Sequence, residues 1–244
     1  MPSVPVVRIV RLAYEPSVAA AASLNPRFAP DSLLLLATLN ICWDEPDPFS
    51  SISRLEEELL AFSPSFGRHE CRGEQAYHVF LGGARQNPAA NRRASFPEPF
   101  EGCLALAHLI EHAIIDFQCT VTRQKRCSGV TGAHREPANF YDVIVECSDL
   151  RIGKTCLSLA LSWLTSILAG QPIGSAERQV LAAARLAYRR RGQALMAPAV
   201  ARALGCSERR AEKALSVLQG AGCLDQTPYS FNFSGIPEYR MALE

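Results

Sequence analysis

The chain has 244 residues, 48% of them hydrophobic, which suits one large domain or one domain plus a small second unit around a real core. Lys and Arg number 25 against 24 Asp and Glu, so a net charge of +1 excludes attachment to nucleic acid or an anionic membrane by overall charge alone. Nine cysteines without a Cys-x-x-Cys pair exclude a zinc ribbon and argue against a disulfide framework.

Met1 to Arg8 lack the basic and apolar regions of a signal peptide, and no apolar run reaches bilayer length without polar interruption. A cytoplasmic chain with no membrane partner is expected. The β-branched run Val6 to Leu12 predicts a strand within Ser3 to Tyr14. An Ala-rich connection with Pro26 and Pro30 follows, and Asp31 to Ile41 predicts a second strand ending at the acidic, Pro-broken Trp43 to Pro48. Ser50 or Ser51 is expected to cap a helix carrying Ile52, Leu55, Leu59 and Leu60 at helical spacing, with Glu56 to Glu58 near its start. Phe62 to Phe100 is rich in Gly, Pro, Asn and Arg, with one short strand at Ala76 to Leu81; loops of this length are often functional covers.

A central helix is predicted from Glu101 to Gln118, then a short β segment at Cys119 to Thr122 and a polar loop from Arg123 to Asn139. Phe140 to Cys147 reads as a strand, and Ile152 to Leu168 as a helix stopped at Gly170, with Pro172 beyond. The pattern then changes. Ser175 caps a helix to Arg191, and Met196 to Leu204, the turn Gly205-Cys206-Ser207 and Glu208 to Leu218 form a helix-turn-helix. Gly222 to Phe233 supplies a small wing. The expected class is α+β: a mixed small sheet packed by helices over residues 1–172, then a winged-helix-like α domain over 173–244.

The central helix carries the chemistry. Its His108-Leu109-Ile110-Glu111-His112 segment places two imidazoles and a carboxylate three and four residues apart, hence on one helical face. This His-x-x-Glu-His spelling is that of inverted zinc peptidases. A solvated stripe on an amphipathic helix is the bland alternative, but Leu104 and Ile115 share the triad's row and the helix has no Lys or Arg. Both faces are therefore expected to be covered, with the triad lining a cleft.

His108 and His112 are the candidate metal ligands, and catalysis needs a third protein ligand with water in the fourth position. Glu146 is the candidate, because its strand is apolar on both faces, with Val143, Val145 and Cys147 on one side and Ile144 on the other. A pair between Glu146 and an arginine such as Arg151 is the alternative; His134, Asp142 and Cys147 are weaker ligand candidates. Zinc suits a set of two His and one Glu. The metal would acidify its water and polarise the scissile carbonyl, while Glu111 takes the water proton as general base. Arg135 is the candidate for holding an acidic substrate group or the oxyanion, against the plainer role of a solvated loop arginine.

Residues from about Val6 to Leu168 resemble the N-terminal domain of cyanophycin synthetases. The resemblance is carried by the opening Val7-Arg8-Ile9-Val10-Arg11-Leu12 strand, the second strand ending in an acidic turn, and the His108 to His112 helix continuing to Phe117-Gln118. The Tyr141 to Glu146 strand and the Gly153-led helix follow in the family's order. It implies an α+β fold, a metallohydrolase-like domain that in some members cuts an Asp/Arg polymer into primers, and a ligand role for Glu146. Gly129 to Arg135 depart from the family's Gly-Arg-Thr-Arg-like loop, and no ATP-grasp or Mur-ligase-like module is expected in these residues.

Ser148 to Thr155 approaches a phosphate-binding loop but lacks its first glycine, so a capped helix start is the simpler expectation. From Ser175 on, ten basic residues face six acidic ones, and Arg209 and Arg210 open the second helix of the helix-turn-helix, where groove contacts are usually made. The expected partner is a peptide-like substrate, with a homodimer as the assembly to test. The alternative is a DNA-binding or scaffold protein with a non-catalytic N-terminal domain.

Overall fold

The structure is a computed structural model. It describes residues 5–16, 25–29, 32–44, 48–62, 98–122, 127–134, 136–147, 149–169, 175–190, 193–227 and 238–241. In chain order the elements are β1 (Val6–Pro16), β2 (Leu33–Cys42), α1 (Pro48–Phe62), α2 (Glu98–Val121), β3 (Gly129–Ala133), β4 (Phe140–Cys147) and α3 (Leu150–Leu168). They continue with α4 (Ser175–Arg189), β5 (Leu195–Met196), α5 (Ala197–Leu204), α6 (Glu208–Gly220), β6 (Leu224–Thr227) and β7 (Glu238–Met241).

The α+β class is the one observed. Four strands form a sheet in the order β1-β2-β4-β3, with every pairing antiparallel. Strand side chains alternate between faces, and register makes the alternation coherent: Leu35 lies opposite Val145, Ala37 opposite Val143 and Leu39 opposite Tyr141. All six join α2 in the main core. Leu34, Val130 and Ile144 point the other way and form a second, smaller cluster with Phe28. A bulge between Ile9 and Arg11 shifts the register of edge strand β1.

Helix α2 explains its own position. It is apolar nearly all round and so must be buried on nearly all sides, with Leu106, Ile110, Ile114 and Phe117 at 0% exposure. Over Gly102–Val121 it is long and apolar enough by composition to cross a membrane, a length the polar interruptions had discounted, yet 72% of that window is buried inside the protein.

Three expectations are corrected. The β segment at Cys119 to Thr122 is helical as far as Val121, and Thr122 closes the end by donating its N–H (2.8 Å) and its hydroxyl (2.7 Å) to the Gln118 carbonyl. Packing against the core outweighs the weak β preference of Val121 and Thr122 there. The polar loop from Arg123 to Asn139 contains β3. Helix α1 starts at Pro48, a residue pre-set for a helical first turn, so Ser50 and Ser51 lie inside the helix rather than capping it. The strand expected at Ala76 to Leu81 lies outside the described residues.

The C-terminal elements follow winged-helix order, with a sheet of order β5-β7-β6. Gly205, at φ 63°, ends α5 in the left-handed conformation that glycine adopts without strain. Helix α4 packs back onto α2 and α3. Val180, Leu181 and Ala184 belong to the same apolar cluster as Ile110 and Leu164. A domain boundary is expected near residue 172, but described residues on both sides of it belong to one apolar core.

Candidate metal centre

From Cys103 to Gln118, Ala105, His108 and His112 are the residues of α2 that are not buried. Leu104 and Ile115, in the same row, are 6% and 5% exposed, as their apolar character led us to expect. The two imidazoles thus reach the surface through a narrow window in an otherwise covered helix. Their rings meet edge to face with centroids 4.5 Å apart. Burial lowers the His108 pKa, favouring the neutral imidazole that a metal requires.

Glu111 lies beneath them at 5% exposure. Its Oε2 accepts a short hydrogen bond from the Thr131 hydroxyl on β3. Its Oε1 is pressed against the β3 backbone: a Cβ added to Gly129 would lie 2.6 Å from it. Glycine is therefore what permits strand and carboxylate to approach this closely. Burial pushes the Glu111 carboxyl up to about 7, against a smaller downward pull from the Thr131 hydrogen bond. Both β3 residues were missed from sequence. The signal that existed was Val130-Thr131 between glycines, shortly before the strong β4 pattern, which is hairpin spacing.

The donor atoms of His108, Glu111 and His112 lie within 4.8 Å of one another, so this group can hold a metal ion. A tetrahedral zinc needs donors roughly 3.3 Å apart.

Glu146 does not join the group. It shares its face of β4 with Ile144, opposite the face that α2 covers, because strand side chains alternate. Its oxygens are taken by backbone donors instead: Oε1 accepts from the Ala29 N–H at 2.6 Å and Oε2 from the Ser128 N–H at 2.8 Å. The proposed arginine partner is also engaged elsewhere, as Arg151 Nε lies 3.2 Å from Asp149 Oδ1. Two backbone amides are a sufficient reason for a buried carboxylate.

The weaker ligand candidates are likewise separated from the triad. His134 Nε2 lies 2.9 Å from Asp142 Oδ2, and Thr38 donates to Asp142 Oδ1 at 2.6 Å on the outer face. Cys147 is buried in the main core. Arg135 lies outside the described residues. At the start of α3, Asp149 accepts from the Arg151 N–H at 2.6 Å, a helix cap rather than a phosphate cradle.

Comparison of the chain with protein-family models, with curated proteins and with solved structures gives no match.

Proposed function

We propose that the chain is a cytoplasmic zinc-dependent hydrolase of peptide or isopeptide bonds, with His108 and His112 as metal ligands and Glu111 as general base; with Glu146 removed, no third protein ligand separate from Glu111 is identified among the described residues. The observation that carries this is the meeting of two partly exposed imidazoles with one buried carboxyl inside a rigid core helix. When bound, zinc supplies an acidified water and an electrophile for the scissile carbonyl. Thr131 holds one Glu111 oxygen and fixes the orientation of the other, which takes the proton and returns it to the leaving amine. The covered walls on either side of the imidazole window limit water around the reacting groups.

Protein purified without added metal should carry about one zinc per chain, lost in His108→Ala. Less than about a tenth of a zinc, unchanged in that variant, overturns the metal centre. The triad also offers Glu111 as a third ligand, and Glu111→Gln separates the two roles. A base leaves zinc in place and abolishes hydrolysis of an Asp/Arg polymer, the substrate suggested by the cyanophycin-synthetase resemblance. A ligand takes zinc with it.

The winged-helix order supports duplex DNA as a second partner, with Arg209 and Arg210 exposed at the start of α6. Binding should then weaken steeply with salt. Absence of salt-dependent binding removes this partner.

A further inference from the structure

A cleft of about 580 Å³ opens between α3, α4 and α6, away from the histidine helix. That volume lies in the range of small-molecule sites. Lys154 from α3 and Arg210 and Lys213 from α6 line it, and none of the three forms an ion pair with a described residue. Thr155 and Ser158 add hydroxyls on the Lys154 side, and Leu159 and Val180 supply apolar wall. The three cations outnumber the one carboxylate of the lining, Glu177, so a ligand that carries net negative charge is favoured there.

A second, independent feature points the same way. Glu177 lines the cleft at 9% exposure. Ser162 donates to its Oε1, but its Oε2 is buried and meets no hydrogen-bond donor among the described residues. Buried polar atoms are nearly always satisfied, and an orphaned carboxylate oxygen at the wall of a cleft is short of a donor. A protonated amine on the ligand supplies one.

We propose that this cleft binds a small net-anionic amino acid. Its ammonium group donates to Glu177 Oε2, and its carboxylates lie among Lys154, Arg210 and Lys213. The ligand then bridges α3 of the first unit and α6 of the winged unit. The two units already touch nearby, where the Arg151 guanidinium packs over the turn at Gly222. Occupancy therefore ties the helix that opens with Arg209 and Arg210 to the body of the protein. The metal reading is not needed for any of this.

Calorimetric titration of the full chain with L-glutamate, glutarate and 4-aminobutyrate tests the assignment. Glutarate lacks the ammonium group and 4-aminobutyrate lacks one carboxylate. L-glutamate should bind with a Kd of about 1 mM or tighter, and each of the other two about 10-fold more weakly. Lys154→Ala and Lys213→Ala, both at exposed positions, should each weaken L-glutamate about 10-fold. Glu177→Gln should erase the preference for L-glutamate over glutarate; if that variant does not fold, the two lysine variants still decide. His108→Ala should bind L-glutamate as the parent does, which separates this cleft from the metal centre. The proposal is overturned if L-glutamate does not bind, if glutarate binds equally well, or if both lysine variants bind L-glutamate unchanged.

Discussion

Glu111 on the helix side of the small sheet and Glu146 on its outer side are both buried carboxylates, and they are satisfied by opposite means. On the helix side, Glu111 has a single hydroxyl donor from Thr131, lies against the backbone at Gly129, and has two imidazoles with donor atoms within 4.8 Å. On the outer side, Glu146 has one backbone N–H on each oxygen, and those amides come from segments remote in sequence. The first carboxylate keeps lone pairs for a proton or a cation; the second is committed to pinning Ala29 and Ser128 over the sheet. Burial alone does not mark a metal ligand. The kind of donor does.

The largest expected effect tests the tethering side. Glu146→Ala removes the acceptor of two partly buried hydrogen bonds and should cost about 3 kcal/mol in urea unfolding, since hydrogen bonds to a charged group are worth roughly 1.5–3 kcal/mol each. Zinc content should not change. Loss of zinc in a folded Glu146→Ala protein would return Glu146 to the centre and undo the contrast between the faces.

The helix side has its own signature in pH. The Glu111 carboxyl is raised from 4.5 to about 7 in the folded chain. Its contribution to stability is therefore fully present below about pH 4.5 and is lost as pH rises through about 7. For metal-free protein that loss is about 3 kcal/mol. Unfolding free energies measured across this window should fall with pH, and Glu111→Gln should flatten the fall. An equal slope in the variant would mean that another group carries it.

Gly129→Ala comes next. Its methyl would meet Glu111 Oε1 at 2.6 Å, so β3 or the carboxylate must move, at about 2 kcal/mol by thermal unfolding. Zinc affinity should fall with it. Thr131→Val, the mildest change, keeps the shape but removes the one hydroxyl donor, at about 1 kcal/mol. It should also raise the Glu111 pKa further, seen as an upward shift of the pH window described above.

Much of this contrast was legible in sequence, and the rest fails for identifiable reasons. The apolar row from Leu104 to Ile115 and the alternation along Phe140 to Cys147 revealed both elements. Period-2 alternation puts residues 144 and 146 on one face of the strand. Which face of β4 the helix covers was not encoded locally, and so the carboxylate was assigned to the wrong side of the sheet. Strand β3 escaped because two of its five residues are glycines; its pairing with β4 defines it, not its propensity. The Ala29 amide was invisible for a different reason, being 117 residues from the carboxylate it serves.

The core shared by α2, α3 and α4 also dictates the timing of assembly. A chain made from its N-terminus completes α2 well before α4 exists. Until the winged unit emerges, the strip of α2 that meets α4 has no cover, and a nascent chain at that stage displays apolar surface to chaperones and to other nascent chains. The last third of the protein acts as a clasp, and the histidine helix reaches its final environment only when that clasp has closed.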